Sequence, residues 1–328
     1  MTSLQNPLGS GFGAATTADE ALAGIDLSGK TAIVTGGYSG IGIEMVRALR
    51  AAGARVIVPA RDARKAQAAL AGMDVELAAM DLASPSSIDA FASAFVASGE
   101  PLHMLINSAG IMACPLTRDE RGYELQFATN HLGHYQLTTR LWPALLRAGG
   151  ARVVALSSLG HRYSAMDFDD PNFEHREYDR WIAYGQSKTA DALFAVGLDK
   201  RGKQRGVQAF SVHPGRIVTE LARHMSAEEL QKIGALDEQG QPVVDLALGL
   251  KSPAQGAATS VWAATSPALD RFGGVYCEDC DIAALAPEED VTAPGSASIA
   301  GGIRPWAIDP EAAERLWALS ERLLGVGI

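Results

Sequence analysis

Cysteine is scarce in this chain, with three residues in 328, Cys114, Cys277 and Cys280. That is too few for a disulfide framework. Cys277-x-x-Cys280 has no second pair at a suitable spacing, so a four-ligand zinc site is not expected and no metal is assigned. Long apolar stretches are missing too. No run approaches the roughly 18 residues that a membrane-crossing helix needs. The opening "MTSLQNPLGSGFG" has no basic patch leading into an apolar core, so it does not read as a secretory signal. Basic residues are outnumbered: 28 Lys and Arg against 38 Asp and Glu give 28 − 38 = −10. An acidic surface repels nucleic acid and anionic membrane, and neither is expected as a partner. No fixed-period repeat appears, which removes solenoids and propellers. A cytoplasmic, globular chain acting on small molecules is the expectation that remains.

What is present is apolar mass: 47% hydrophobic residues against 20% charged, enough for a sizeable core. Six apolar runs read as strands: "TAIVT" (31–35), "RVIV" (55–58), "VELAAM" (75–80), "HMLIN" (103–107), "RVVALS" (152–157) and "VQAFSV" (207–212). Helix-period segments separate them at 41–52, 62–71, 84–98, 124–146 and 182–203. Continuous apolar strands alternating with helices predict a mostly parallel sheet covered on both faces, a three-layer, doubly wound α/β domain. Residues 1–28 read as a surface arm and 29–328 as one domain. Residues 216–250 have mixed polarity. The segment 281–306 is rich in Ala, Pro and Gly and reads as an irregular connection. "PEED" (287–290) reads as a solvated loop. "DPEAAERLWALSERLL" (309–324) predicts a last helix with Asp309 as N-cap and Pro310 in its first turn.

"TGGYSGIG" (35–42) directly follows the first strand and opens a helix near Ile41. Glycine there permits a sharp turn and lets backbone N–H groups approach a pyrophosphate, to which the helix N-terminus adds partial positive charge. The pattern Thr35-Gly36-x-x-x-Gly40-Ile41-Gly42 resembles the cofactor loop of short-chain dehydrogenases/reductases. Serine at 39 separates it from the branch that carries glycine there. Further motifs of that family follow in order: Asp81-Leu82 after the third strand, "NSAG" (107–110), "NHLGH" (130–134), "LSSLG" (156–160), "YGQSK" (184–188) and "HPGRIVT" (213–219). The resemblance spans about residues 28–280 and implies a Rossmann-type fold.

It also implies roles. Tyr184 and Lys188 lie four apart on a predicted helix and so share one face. A phenol is a poor base at neutral pH, and a neighbouring ammonium favours its ionised form. Tyr184 is thus the expected general acid/base. Lys188 is its charge partner and the residue that holds the nicotinamide ribose. Ser158 would hydrogen-bond the substrate oxygen, and Asn130 would hold a water linking Lys188 to solvent. Cofactor contacts are expected from Thr35, Gly36, Tyr38, Ser39, Gly40, Ile41, Gly42, Arg61, Asp81, Leu82, Asn107, Ala109, Gly110, Tyr184, Lys188, Pro214, Gly215 and Thr219. Ser108 stands where the family has a second Asn. Residues 216–250 correspond to the family's mobile substrate lid, and the helices bearing Asn130 and Tyr184 to its common dimer or tetramer surfaces.

The second strand ends in Ala60-Arg61 rather than an acidic residue. An arginine there suits a ribose 2′-phosphate, so NADP is favoured with NAD still possible. The adjacent Asp62 reads as the N-cap of the next helix. The long Ser158–Tyr184 spacing resembles the branch of retinol-dehydrogenase-like and protochlorophyllide-reductase-like enzymes. This implies a bulky, apolar alcohol or carbonyl. Reduction of an activated C=C bond, and a non-catalytic cofactor-binding sensor, stay open as alternatives. His131, His134 and His161 fall near these motifs. His161 could touch substrate, although a solvated or capped histidine is the plainer expectation.

Overall fold

The computed structural model of the chain describes residues 4–287 and 301–328. Strands β1 (Thr31–Thr35), β2 (Arg55–Ala60), β3 (Glu76–Ala79), β4 (Met104–Asn107), β5 (Ala151–Leu156), β6 (Val207–His213), β7 (Val275–Glu278) and β8 (Asp281–Ile282) form one sheet. Its order is β3-β2-β1-β4-β5-β6-β7-β8. All neighbours pair in parallel except β7 and β8, which are antiparallel. The winding reverses between β1 and β4, and a doubly wound sheet opens a crevice at such a switch point.

The helices are α1 (Ala18–Ala21), α2 (Ile41–Ala51), α3 (Ala63–Ala69), α4 (Pro85–Ala97), α5 (Leu125–Phe127), α6 (Gly133–Arg140), α7 (Trp142–Arg147), α8 (Arg180–Gly202), α9 (Ala227–Lys232), α10 (Pro253–Thr265) and α11 (Pro310–Leu324). Strand side chains alternate between two cores. Ile33, Leu105 and Val153 pack with residues of α4, α6, α8 and α11. Val34, Ile106, Val154 and Phe210 pack with those of α2 and α10. Helix α11 lies on α8, with Trp317 stacked on Phe194 and edge-on to Tyr135. Around Phe194, α8 is therefore covered by the chain's own last helix. Asp309 caps α11 by accepting from the Glu311 N–H, as anticipated.

Helix α10 and strands β7 and β8 have no counterpart among the segments read from the sequence. The middle of α10, "GAATSVWAA", is buried on every side, so its sequence shows no polar stripe. The 124–146 segment is not one helix. A five-residue π-helical turn, Ala128–Leu132, interrupts it, and Leu141 breaks it again before α7. Half of the connection at 281–306, including residues 288–290 of the "PEED" loop, lies outside the described residues.

The N-terminal arm is more deeply built in than a surface strap. Ala18, Ala21, Leu22 and Leu27 join the α2/α10 core. The buried Gln5 side chain extends the sheet by acting as a peptide group. Its Oε1 accepts from the Tyr276 N–H at 2.9 Å, and its Nε2 donates to the carbonyls of Tyr276 and Ala283, each at 2.7 Å. The Asp281 carboxylate then accepts the N–H groups of Leu8, Gly9 and Ser10 at 2.7, 2.8 and 3.1 Å. Asp281→Ala leaves these donors without their acceptor, at a cost of about 1–3 kcal/mol. The expected result is a lower melting temperature together with early proteolytic cleavage within residues 4–28. Unchanged protease resistance would mean that the carboxylate does not hold the arm.

Candidate active site

Thr35 and Asn107 are paired neighbours at the ends of β1 and β4, so the loops after these strands meet at the switch point. They meet closely. Gly36 has φ +67°, and a Cβ on it would lie 2.9 Å from Ala109 Cα. A Cβ on Gly42 would lie 2.2 Å from the Gly36 carbonyl oxygen. The backbone of 36–41 is thereby folded tightly against the first turn of α2. The result is a cradle of main-chain groups at a helix N-terminus, the geometry that suits a pyrophosphate.

One hydrogen-bond chain fixes the cradle. His134 Nδ1 lies 2.8 Å from the Asn130 carbonyl, which can only accept, so Nδ1 carries the proton. His134 Nε2 then accepts the Thr35 hydroxyl proton at 2.9 Å. Thr35 Oγ1 in turn accepts the N–H groups of Ser108 and Ala109 at 2.9 and 3.0 Å. Burial pushes His134 down to about 4, and the nearby Lys188 charge acts in the same direction, so the ring stays neutral as this chain requires.

A cavity of about 610 Å³ opens from this cradle. Of the residues expected to act in catalysis or to contact the cofactor, all but three line it, including Arg61, Asp81, Ser158, Tyr184, Lys188, Pro214 and Thr219. The exceptions are Gly42, which acts sterically behind the loop, Asn107 and Asn130. The Asn107 amide donates to Thr138 Oγ1 at 3.2 Å and ties β4 to α6 instead of facing the cavity. Asn130 sits fully buried in the π-helical turn. Its Oδ1 accepts from the Ile111 N–H, and its Nδ2 donates to the Ile111 carbonyl and to Ser187 Oγ.

Asp179 starts α8 by accepting from the N–H groups of Trp181 and Ile182, and this sets the phase of Tyr184 and Lys188. Both reach the cavity. The Tyr184 ring packs on Gly160, where a Cβ would come 2.6 Å from its Cε1 and 3.5 Å from Ser158 Oγ. Lys188 Nζ lies 5.8 Å from the Tyr184 ring centroid and donates to the Leu156 carbonyl at 2.7 Å. It also contacts Asp191 Oδ2 at 2.9 Å. Burial disfavours the Lys188 charge, but Asp191 and Tyr184 outweigh it and the group is raised overall. Ser158 Oγ accepts the Gly160 N–H at 3.1 Å, which leaves its own proton free to donate. This arrangement can exchange a proton at an oxygen held between Ser158 and Tyr184.

At the far end, Arg61 is exposed on the rim with Lys65 beside it. Asp62 is engaged elsewhere, capping α3 through the Lys65 N–H at 3.0 Å. The rim thus offers Arg61 to an anionic group, while the Lys65 ammonium is paired with Glu220.

His161 is neither at the substrate face nor solvated. It is fully buried, with Nδ1 2.6 Å from the Ser158 carbonyl and Nε2 accepting the Arg304 N–H at 3.1 Å, so it fastens the Ser158 loop to the C-terminal segment. His131 is packed likewise, 2.8 Å from Ser320 Oγ. Among the described residues no group of three or more His, Cys, Asp or Glu side chains could hold a metal ion, and no helix is long and apolar enough to cross a membrane. Lys65, Trp181, Met225 and Asp191 were missed in the sequence. Only Asp191 left a signal there, an acid three residues after Lys188.

A family model described as short chain dehydrogenase matches residues 30–230. A probable oxidoreductase of Streptomyces lividans is 44% identical over 92% of this chain and all of its own length. Human retinol dehydrogenase 12 is 35% identical, over 92% of this chain and 88% of its own. Among solved structures, an uncharacterized protein from Mycobacterium paratuberculosis is 31% identical. It superposes with a TM-score of 0.69 over 93% of this chain and 97% of its own.

Proposed function

Because the chain belongs to the short-chain dehydrogenase family and is thus an NAD(P)-dependent oxidoreductase, we propose that it interconverts a bulky, apolar alcohol and its carbonyl with NADP, Tyr184 moving the proton. The observation that carries this is the shared cavity, with the glycine cradle at one end and Ser158, Tyr184 and Lys188 at the other. The nicotinamide ring, when bound, gives or takes the hydride. Tyr184 then protonates the carbonyl oxygen, or deprotonates the alcohol, and the Lys188 ammonium favours the ionised phenol. The free Ser158 proton is directed at the same oxygen. The Asn130 side chain is committed on Ile111 and Ser187, so a water of a proton path would have to be held by its main-chain carbonyl.

The substrate end supports an apolar partner. Ile111, Met112, Trp181, Met225, Ile233 and Leu250 line it, and residues 216–250 would form its cover. The retinol dehydrogenases among the relatives are named for an alcohol of that kind. Arg61 on the rim, with Asp62 committed to its cap and Lys65 paired with Glu220, favours a 2′-phosphate over a free hydroxyl.

Two measurements test this. Consumption of NADPH and NADH is followed over bulky ketones, aldehydes and enones, and the expected result is turnover of carbonyls with NADPH. Response to enones alone would move the assignment to C=C reduction. Arg61→Ala should weaken NADPH binding roughly 10- to 100-fold, the worth of a charge-assisted hydrogen bond, and leave NADH binding unchanged. Equal losses for both cofactors would remove the 2′-phosphate role.

A further inference from the structure

We propose that Asp191 is a positioning residue of the active site, a buried carboxylate that anchors the Lys188 ammonium against β5 and thereby sets the pH at which Tyr184 becomes a base. The inference rests on the assignment of Tyr184 and Lys188 above.

Asp191 lies one helical turn beyond Lys188 on α8, and its side chain is 5% exposed. Its Oδ2 is 2.9 Å from Lys188 Nζ, and the Leu156 carbonyl takes a second Nζ proton at 2.7 Å. The ammonium is therefore held by a carboxylate and one carbonyl dipole; burial pushes Asp191 up to about 7 against the pull of Lys188, so its charge acts on the site above that pH. The titratable groups facing this pair are Tyr184 on the same helix and His134 from α6, and His134 is held neutral by its burial. Strand β5 contributes only the Leu156 carbonyl. Among the described residues, Asp191 and then Tyr184 are the groups that favour the Lys188 charge.

Two consequences follow from electrostatics. A buried ammonium without a counter-ion tends to lose its proton. Burial pushes Lys188 down, and Asp191 is the largest influence that brings it back above its ordinary value. The Asp191 charge also opposes removal of the next proton from the Tyr184–Lys188 pair. Tyr184 and Lys188 also act on one another electrostatically. Whichever of them releases the proton, release becomes easier when a neighbouring negative charge is taken away. Asp191 thus keeps Lys188 charged and holds back the ionisation of Tyr184.

The test is kcat against pH for alcohol oxidation at saturating NADP, with Asp191→Asn beside the wild type. The substitution keeps shape and removes charge. The expected result is a rising limb displaced to lower pH by about one unit, as for a charge lost at this depth, with a lower plateau. NADPH fluorescence should show that the cofactor still binds. Asp191→Glu keeps the charge and should keep the wild-type limb even where kcat falls. Asp191→Ser serves as the neutral variant if the Asn protein does not fold. A limb that superimposes on wild type in the neutral variant overturns the proposal, as does a Glu variant that shifts like the neutral one. If Tyr184→Phe retains turnover, the site assignment itself fails. If Tyr184→Phe is inactive but the limb does not move, only the role of Asp191 fails.

Discussion

Tyr184→Phe should bind NADPH like the wild type, melt at the same temperature and lose turnover by about 10²- to 10⁴-fold, the usual contribution of a positioned proton donor. The structure separates the two properties of this residue. Its ring is held by packing, edge-on to Gly160, where any side-chain carbon would collide with it. Phenylalanine keeps that contact. Only the hydroxyl is lost, and with it the group proposed to meet the substrate oxygen beside Ser158. Retained turnover would place the proton transfer elsewhere, and full loss of cofactor binding would make Tyr184 a structural residue. Stopped-flow absorbance with saturating NADPH and fluorescence titration distinguish the outcomes.

Gly42→Ala should act on the other end of the cavity and almost as strongly. The added methyl would sit 2.2 Å from the Gly36 carbonyl oxygen and 3.0 Å from Gly37 Cα. Both obstacles are backbone, so neither can swing aside. The loop must open, at a cost near the upper end of overpacking, about 3 kcal/mol. The expected result is a lowered melting temperature and NADPH binding too weak to saturate. Gly150→Ala is the control, since nothing lies within 4 Å of a Cβ there. Should Gly42→Ala bind NADPH normally, the close crossing of the loop over α2 would not be what forms the cradle.

Strands β1, β2, β4, β5 and β6 could be read directly, because a strand buried on both faces is apolar along its whole length. The four-residue step from Tyr184 to Lys188 could be read for a similar reason, since helical spacing fixes which residues share a face. Helix α10 could not. A helix enclosed by the core carries small apolar residues all round, and periodicity disappears when no face meets water. Nor could the π-helical turn that carries Asn130, because one residue more per turn leaves no compositional trace. Asn107 was misplaced because a motif gives the position of a residue along a strand, not which neighbour its amide will meet.

The sequence by itself determined the family, the first six sheet-forming segments and the glycine cradle, and it pointed to the proposed acid/base pair, since each of these depends on local spacing along one element. The tertiary structure alone decided what those residues are held by. Asp281 meets Leu8, Gly9 and Ser10 from more than 270 positions away. His161 meets Arg304, and His134 joins Thr35 to Asn130. Lys188 is paired with a carboxylate whose effect comes from its burial. Hydrogen bonds and burial between distant segments exist only once the chain has packed, and the charge state of a buried group is a property of that packing.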